Sequence, residues 1–395
     1  MVLIEKITDA IQSSNLNFLI GSGLSMPFIP TLGNIETLLA ELDSQPTKGR
    51  LAWQIAKASL YKKYFDNVMA RNIESNCADN VLFRDVLFNY MSFLNILNEL
   101  ILHRKNTLLN KQVNLFTTNI DIFLDRAIEE LHLEFNDGFK GRIYPTFNLS
   151  NFLFSYLKTS LHYGNTSEVP VFNLLKLHGA INWGKHPSSD SITIDAHLHQ
   201  IEELSRRLTE SKYDQFLVSI PENMSMAEIM ELSRELSKSI QDKPHLIEAF
   251  INEYEAIQIV NPTKDKFKSS ILNVYYYELL RMFANELEKE NCILFSLGFS
   301  FRDEHIREIV LRAANSNPTL QIYVTSYNKQ AKDEITECLT LDKFSLKNNN
   351  IRIVDFSDLS GNINDSGAEN SDNEKVLDFK GLIKMLFHPL KSYAV

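Results

Sequence analysis

The sequence predicts an α/β protein: a Rossmann-like parallel sheet with helices on both faces, plus a helical insert subdomain. Three observations carry that prediction. Short apolar runs of strand length recur at residues 16–20, 113–116, 172–177, 293–297, 320–325 and 351–356. Segments of helical periodicity separate most of them. Four of the runs lead straight into a short motif rich in Gly, Ser, Asn, Asp or His, at the carboxyl end of the strand. That is where open α/β sheets bind their ligands.

Taken in order, Ile4, Ile7 and Ile11 are spaced for one face of a first helix. The strand 16–20 then enters Gly21-Ser22-Gly23-Leu24-Ser25, and Pro27, Pro30 and Gly33 punctuate a following loop expected to be mobile. Residues 51–109 read as helical, with Tyr61, Tyr64 and Phe65 on an apolar face, so 40–110 is predicted as a helical insert. The strand 113–116 leads into Thr117-Thr118-Asn119-Ile120-Asp121 and then a helix through Phe123, Ala127 and Leu131. The strand 172–177 carries Lys176-Leu177-His178-Gly179.

Residues 189–290 are charged and mostly helical, a second insert; Ser225 and Glu228 have capping-box spacing. The strand 293–297 ends in Gly298-Phe299-Ser300-Phe301-Arg302-Asp303. Residues 320–325 and 351–356 supply the last two strands. The stretch 357–376 turns to Ser, Asn, Asp and Gly and is expected to be a flexible loop, before a short amphipathic helix over 377–387.

Composition narrows the function. The 395 residues are 44% hydrophobic and 23% charged, enough for a large core in one domain or two interleaved ones. The net charge of −10 and the lack of a basic run argue against direct nucleic-acid binding. Cys77, Cys292 and Cys338 stand far apart with no CxxC pair, so neither a zinc ribbon, another metal site nor a disulfide framework is expected. A reducing, cytoplasmic setting fits. No signal peptide is read at the N-terminus, and no apolar run approaches the roughly 18 residues of a membrane span.

Each motif has a functional and a structural reading. Gly21 and Gly23 would let backbone approach a pyrophosphate, with amides at a following helix N-terminus stabilising its charge; they could equally make a plain strand-end turn. Met26 stands where the dehydrogenase fingerprint needs its third glycine, so that motif is not matched. Asn119 and Asp121 lie two apart and point the same way on an extended segment. They could hold a ribose hydroxyl, a water or a carboxamide, or form an Asx turn before the next helix. His178 could act as a base or orient a hydroxyl, or simply be satisfied at a strand end. Gly298 and Ser300 could hold a phosphate or ribose, and Asp303 reads as a helix cap.

In this order the four motifs resemble the nicotinamide-dinucleotide site of the sirtuin superfamily. Within it the chain is most similar to bacterial sirtuin-like NADases of anti-phage defence, in the short form paired with a HerA-type ATPase. The resemblance implies one catalytic domain over 1–395. It implies NAD+ as substrate, Asn119 at the nicotinamide ribose, Asp121 at the carboxamide and His178 as catalytic histidine. It implies a phosphate-binding turn of Gly21, Ser22, Gly23 and Ser25 beside Thr118, later contacts from Gly298 and Ser300, and Tyr327 near the adenosine half.

Protein-deacylating members carry four zinc cysteines after the histidine motif and a Gly-Ile-Pro-x-Phe-Arg loop; this sequence has neither. Hydrolysis of NAD+ to nicotinamide and ADP-ribose is therefore the expected activity. Deacylation, ADP-ribosyl transfer and non-catalytic sensing of NAD+ or ADP-ribose are the alternatives. The resemblance further implies a homo-oligomer gated by the ATPase, with abortive infection as the outcome.

Overall fold

The computed structural model describes residues 2–394 apart from positions 32, 74–76, 78, 105–107, 190, 211–212, 241–243, 261–269, 341–346 and 361–374. Its centre is a seven-stranded sheet: β1 (Asn15–Ile20), β2 (Gln112–Thr117), β3 (Glu134–Asn136), β4 (Val171–Lys176), β5 (Cys292–Leu297), β6 (Gln321–Thr325) and β7 (Ile351–Val354). The spatial order is β7-β6-β5-β1-β2-β4-β3, with every pairing parallel. The predicted α/β class with a Rossmann-like parallel sheet is the class observed.

The strands form because both sheet faces are covered, so each strand is a nearly continuous apolar run. Along β1, Phe18 and Ile20 enter one core and Leu19 the other, as the two-residue period requires. On the first face Phe18 stacks on Phe295 at 5.2 Å and meets Phe93 edge-on at 5.4 Å. On the second, Phe116 packs on Phe283 at 4.8 Å.

A buried polar ladder crosses the first five strands. The Nδ2 of Asn136 donates to Asn173, that of Asn173 to Asn114, and that of Asn114 to Asn17, each at 2.8 Å. Asn17 then donates to Cys292 Sγ at 3.0 Å. The four asparagines are direct register partners, so a slip of one residue at any pairing breaks the chain of bonds.

Helices cover the sheet: α1 (Val2–Ser13), α2 (Ile35–Asp43), α3 (Leu51–Tyr64), α4 (Val81–Leu102), α5 (Phe123–Glu130), α6 (His199–Glu210), α7 (Met226–Ser239), α8 (Pro244–Glu255), α9 (Ser270–Glu288), α10 (Glu304–Ser316) and α11 (Lys329–Cys338). Ser225 and Glu228 close the predicted capping box on α7. The two helical stretches meet through α3: Tyr61 stacks on Tyr254 of α8 at 4.1 Å, and Lys57 reaches Glu255 at 2.5 Å.

Several expectations need correction. The helical stretch from 51 is interrupted: α3 runs into a wide turn at Phe65–Met69 and a tight one at Ala70–Asn72 before α4 begins. In the loop after Ser25, Phe28 is buried edge-on to Phe83 and Phe123 and its carbonyl accepts from Arg71 at 2.7 Å, packing the sequence reading did not foresee. The end of the expected flexible loop 357–376 that touches β7 is a short helix, Phe356–Ser360, because Asp355 Oδ1 accepts from the amides of Ser357 and Asp358. Residues 361–374 of that call lie outside the described residues.

The closing helix is longer than its amphipathic pattern suggested. It continues to Ala394, and Phe387 and Leu390 are fully buried. Strand β3, a small antiparallel sheet (Phe139–Lys140, Thr146–Phe147, Trp183–Lys185, Ile192–Ile194) and a hairpin (Tyr156–Thr159, Thr166–Val169) were not foreseen. Strands of two to four residues carry too few side chains to show a period.

Candidate active site

Sheet order positions the site. From β1 the chain moves to β2, β3 and β4 on one side, then returns to β5 on the other side of β1. The crevice at this reversal lies outside the carboxyl ends of β5, β1, β2 and β4, the expected ligand site of such a sheet. It holds a cavity of about 400 Å³ lined by residues from all four strand ends, together with Ile29, Pro30, Thr31, Gly33, Glu36 and, at the end of α3, Tyr64. The motif residues Ser22, Gly23, Thr118, Asn119, Asp121, His178, Gly298 and Ser300 all line it.

Three of the expected contacts, Gly21, Ser25 and Tyr327, do not line the cavity. Ser25 is fully buried behind the cavity wall. Tyr327 is exposed beyond β6, with its carbonyl accepting from Leu377, and does not line the cavity.

The glycine turn is built by close approach of backbones. A Cβ on Gly21 would lie 2.4 Å from the Gly298 carbonyl oxygen, and one on Gly23 would lie 2.9 Å from it. Gly298 itself has φ +60 and would clash with the Leu24 amide. The segment after β1 is a single tight turn, Ser22–Ser25, and no α-helix begins there. The amide of Gly21 donates to Leu297 and that of Gly23 to Gly298, at 2.9 and 3.0 Å. Those two amides hold the turns together, and the helix N-terminus expected to offer amides to a phosphate does not form after β1.

Asn119 and Asp121 are fixed by one buried network. Ser25 Oγ donates to Asp121 Oδ2 at 2.7 Å. With that proton committed, Tyr90 Oη donates to Ser25 Oγ at 3.1 Å, and Asn119 Nδ2 donates to it at 3.3 Å and to the Gly21 carbonyl at 3.1 Å. Asp121 Oδ1 accepts from the Phe123 amide at 3.2 Å, the Asx turn that starts α5. Burial pushes the Asp121 carboxyl above its ordinary value, opposed by Ser25, by Lys176 and by the Phe123 amide. Burial likewise raises Tyr90 well above the usual phenol range, which keeps it a donor. Asn119 Oδ1 is buried without a hydrogen-bond partner among the described residues, an acceptor available to a ligand hydroxyl or water.

Behind them, buried Lys176 holds the loop, donating to the Asp121 carbonyl at 3.0 Å and pairing with Asp125 at 2.5 Å. Asn182 donates to the other Asp125 oxygen at 3.2 Å.

His178 is presented by a left-handed turn. Gly179 has φ +70, and a Cβ there would lie 2.3 Å from the Gln258 carbonyl oxygen. The Val260 amide donates to the His178 carbonyl at 2.8 Å. His178 Nε2 lies 3.2 Å from Asp303 Oδ2, a close approach not aligned as a hydrogen bond. Asp303 caps α10 through its other oxygen, from His305 at 3.0 Å and Ile306 at 3.3 Å. The sequence signal at Asp303 was read as a cap alone; its second role depends on β5 and β4 flanking the same crevice. Glu36, Thr37, Tyr64, Val68 and Arg302 also line the cavity without having been singled out as site residues.

The sequence matches the SIR2-like domain family over residues 113–354, more than half of the chain. The chain belongs to the SIR2-like family. No curated protein matches the sequence. SIR2-like proteins are NAD-dependent enzymes, so membership implies NAD+ use. The match spans the Asn119, Asp121, His178 and Gly298–Asp303 segments. The Gly21–Ser25 turn lies before it, joined to the SIR2-like site by the glycine contacts described above. Among the described residues no cluster of His, Cys, Asp and Glu could hold a metal ion, and no helix is long and apolar enough to cross a membrane.

Proposed function

We propose that this SIR2-like chain hydrolyses NAD+ at the nicotinamide–ribose bond, giving nicotinamide, ADP-ribose and a proton. The observation that carries the proposal is the convergence of Asn119, Asp121 and His178 on one cavity with the paired glycine turns. The free Asn119 Oδ1 and the imidazole of His178 fit a ribose and a water, and Asp121 fits the amide of a carboxamide.

The nicotinamide ring departs neutral, taking the C1′–N bonding pair, so the leaving group needs no strong acid. The difficult species is the oxocarbenium-like ribose. Asn119 Oδ1 orients a ribose hydroxyl or the attacking water. Asp121 holds the carboxamide so that the ring can leave along one direction. His178 accepts a proton as water adds at C1′. Tyr64, Val68 and Ile29 add largely apolar lining to the cavity. The three cysteines of this sequence cannot form the four-cysteine module associated with acyl-peptide binding, which leaves water as the acceptor.

An unregulated NAD+ hydrolase would exhaust its own cell. A gated role in anti-phage defence, as a homo-oligomer working with a HerA-type ATPase, is the setting we propose for it. The test is incubation of the purified chain with NAD+, with and without the ATPase from its own operon, following nicotinamide and ADP-ribose by chromatography. Loss of NAD+ that disappears in His178→Ala and Asn119→Ala supports the reading. Full activity in either variant would refute it.

A further inference from the structure

The cavity has two chemically unlike ends. Asn119, Asp121 and His178 come from the β2 and β4 side, whereas Ser22, Gly23, Gly298, Ser300 and Arg302 come from the β1 and β5 side. Charge is also uneven. Glu36, Asp121 and Asp303 are carboxylates, and Arg302 is the single Lys or Arg among the described lining residues. A dinucleotide brings a diphosphate with two negative charges into this set. The Gly21 and Gly23 amides are already bonded to Leu297 and Gly298.

From this we infer that Arg302 is the diphosphate-binding side chain of the cavity, and that it exchanges its partner Glu334 for the ligand. The inference rests on the NAD+ reading above and adds the residue that selects a diphosphate. Arg302 is well placed for it. Phe301 is held in the left-handed region at φ +59 by its fully buried ring, which packs on Phe299 at 5.0 Å. A non-glycine residue in that conformation needs such support, and the next residue, Arg302, lines the cavity.

Arg302 Nη2 lies 2.9 Å from Glu334 Oε2, with side-chain exposures of 65% and 44%. An ion pair that open to water contributes little. Glu334 keeps a second partner, since Gln330 donates to its other oxygen at 3.1 Å. A guanidinium that exchanges this contact for two phosphate oxygens gains a bidentate, charge-assisted interaction.

The experiment is calorimetric binding of ADP-ribose and of adenosine to the full chain, in wild type, Arg302→Gln, Arg302→Lys and Glu334→Gln, with thermal midpoints measured alongside. Arg302 is exposed, so its variants should melt with the wild type. We expect Arg302→Gln to weaken ADP-ribose at least tenfold while leaving adenosine unchanged. Arg302→Lys should recover part of the loss, and Glu334→Gln should bind ADP-ribose as tightly as wild type or more tightly. In turnover, Arg302→Gln should raise KM for NAD+ with kcat unchanged. ADP-ribose affinity within twofold of wild type in Arg302→Gln, or an equal loss for adenosine, would overturn the inference while leaving the NAD+ reading intact. A wild-type chain that neither binds ADP-ribose nor cleaves NAD+ would remove both.

Discussion

Ser25→Ala tests whether the buried network or the cavity lining decides the geometry of the site. Ser25 does not touch the cavity, yet its hydroxyl joins Tyr90, Asn119 and Asp121. Removing it takes a donor from a buried carboxylate, which costs about 1.5–3 kcal/mol, and leaves the buried Tyr90 hydroxyl without that acceptor, at about 1 kcal/mol or more. Asn119 keeps the Gly21 carbonyl. The expected loss of stability at neutral pH is therefore about 3 kcal/mol, a large part of the roughly 5–15 kcal/mol that holds a folded protein together.

The loss should depend on pH. Asp121 has a folded-state pKa raised above its unfolded value by burial, so the folded state binds protons more tightly, and stability falls as pH rises from about 4 through the raised value. The Ser25 hydrogen bond opposes that rise. Without it the pKa climbs further, so the deficit of the variant is small when the carboxyl is protonated and grows as it ionises. Urea denaturation of both proteins from pH 4.5 to pH 8 reads this directly, with Ser25→Thr as the hydroxyl-retaining control. NAD+ cleavage should fall about 10²-fold, the scale of a misplaced catalytic group. A neutral-pH deficit under about 0.5 kcal/mol, or one that shrinks as pH rises, would refute the reasoning.

Three further outcomes are expected. Asp303→Asn keeps the helix cap, because asparagine caps as well as aspartate, but removes the charge 3.2 Å from His178. Its melting temperature should stay close to wild type while kcat falls roughly 10²-fold, and unchanged kcat would sink the His178–Asp303 contact as functional. Asp137 is raised to about 6, chiefly by burial, so its ionisation makes folding less favourable as pH rises from about 4 to 6. Asp137→Asn, which keeps an acceptor for the Phe139 amide, should therefore be more stable than wild type by about 1–2 kcal/mol at pH 7.5, with the gap closing toward pH 4; a gap constant across that range in urea melts would contradict this. Asn114→Ala deprives Asn17 and Glu286 of a donor and Asn173 of an acceptor, and should cost at least ~3 kcal/mol in denaturant unfolding; a cost below ~1 kcal/mol would show that the ladder is dispensable.

The sequence by itself determined the class of fold and the order of the strand-end motifs. Buried parallel strands must be nearly continuous apolar runs, so β1, β2, β4, β5, β6 and β7 announce themselves, and the polar motifs at their ends stand out against them. That was enough to place Asn119, Asp121, His178 and Ser300 among the candidates, and each of them lines the cavity.

Only the tertiary structure decided how those ends meet. Gly21 and Gly298 read as two separate turns, and their shared reason, backbones too close for a Cβ, exists only when β1 and β5 lie side by side. Asn17, Asn114, Asn136 and Asn173 look like isolated polar interruptions until the strand register aligns them into a ladder. Tyr327 follows a strand as the other motifs do, but β6 lies one place beyond the crevice and the side chain stays outside. Glu36 and Tyr64 meet Arg302 and Asp303 at the cavity although more than 200 residues separate the two pairs in sequence. Local pattern records the period and ends of an element; which elements become neighbours is set by the packing of the whole sheet, and the site is made of those neighbours.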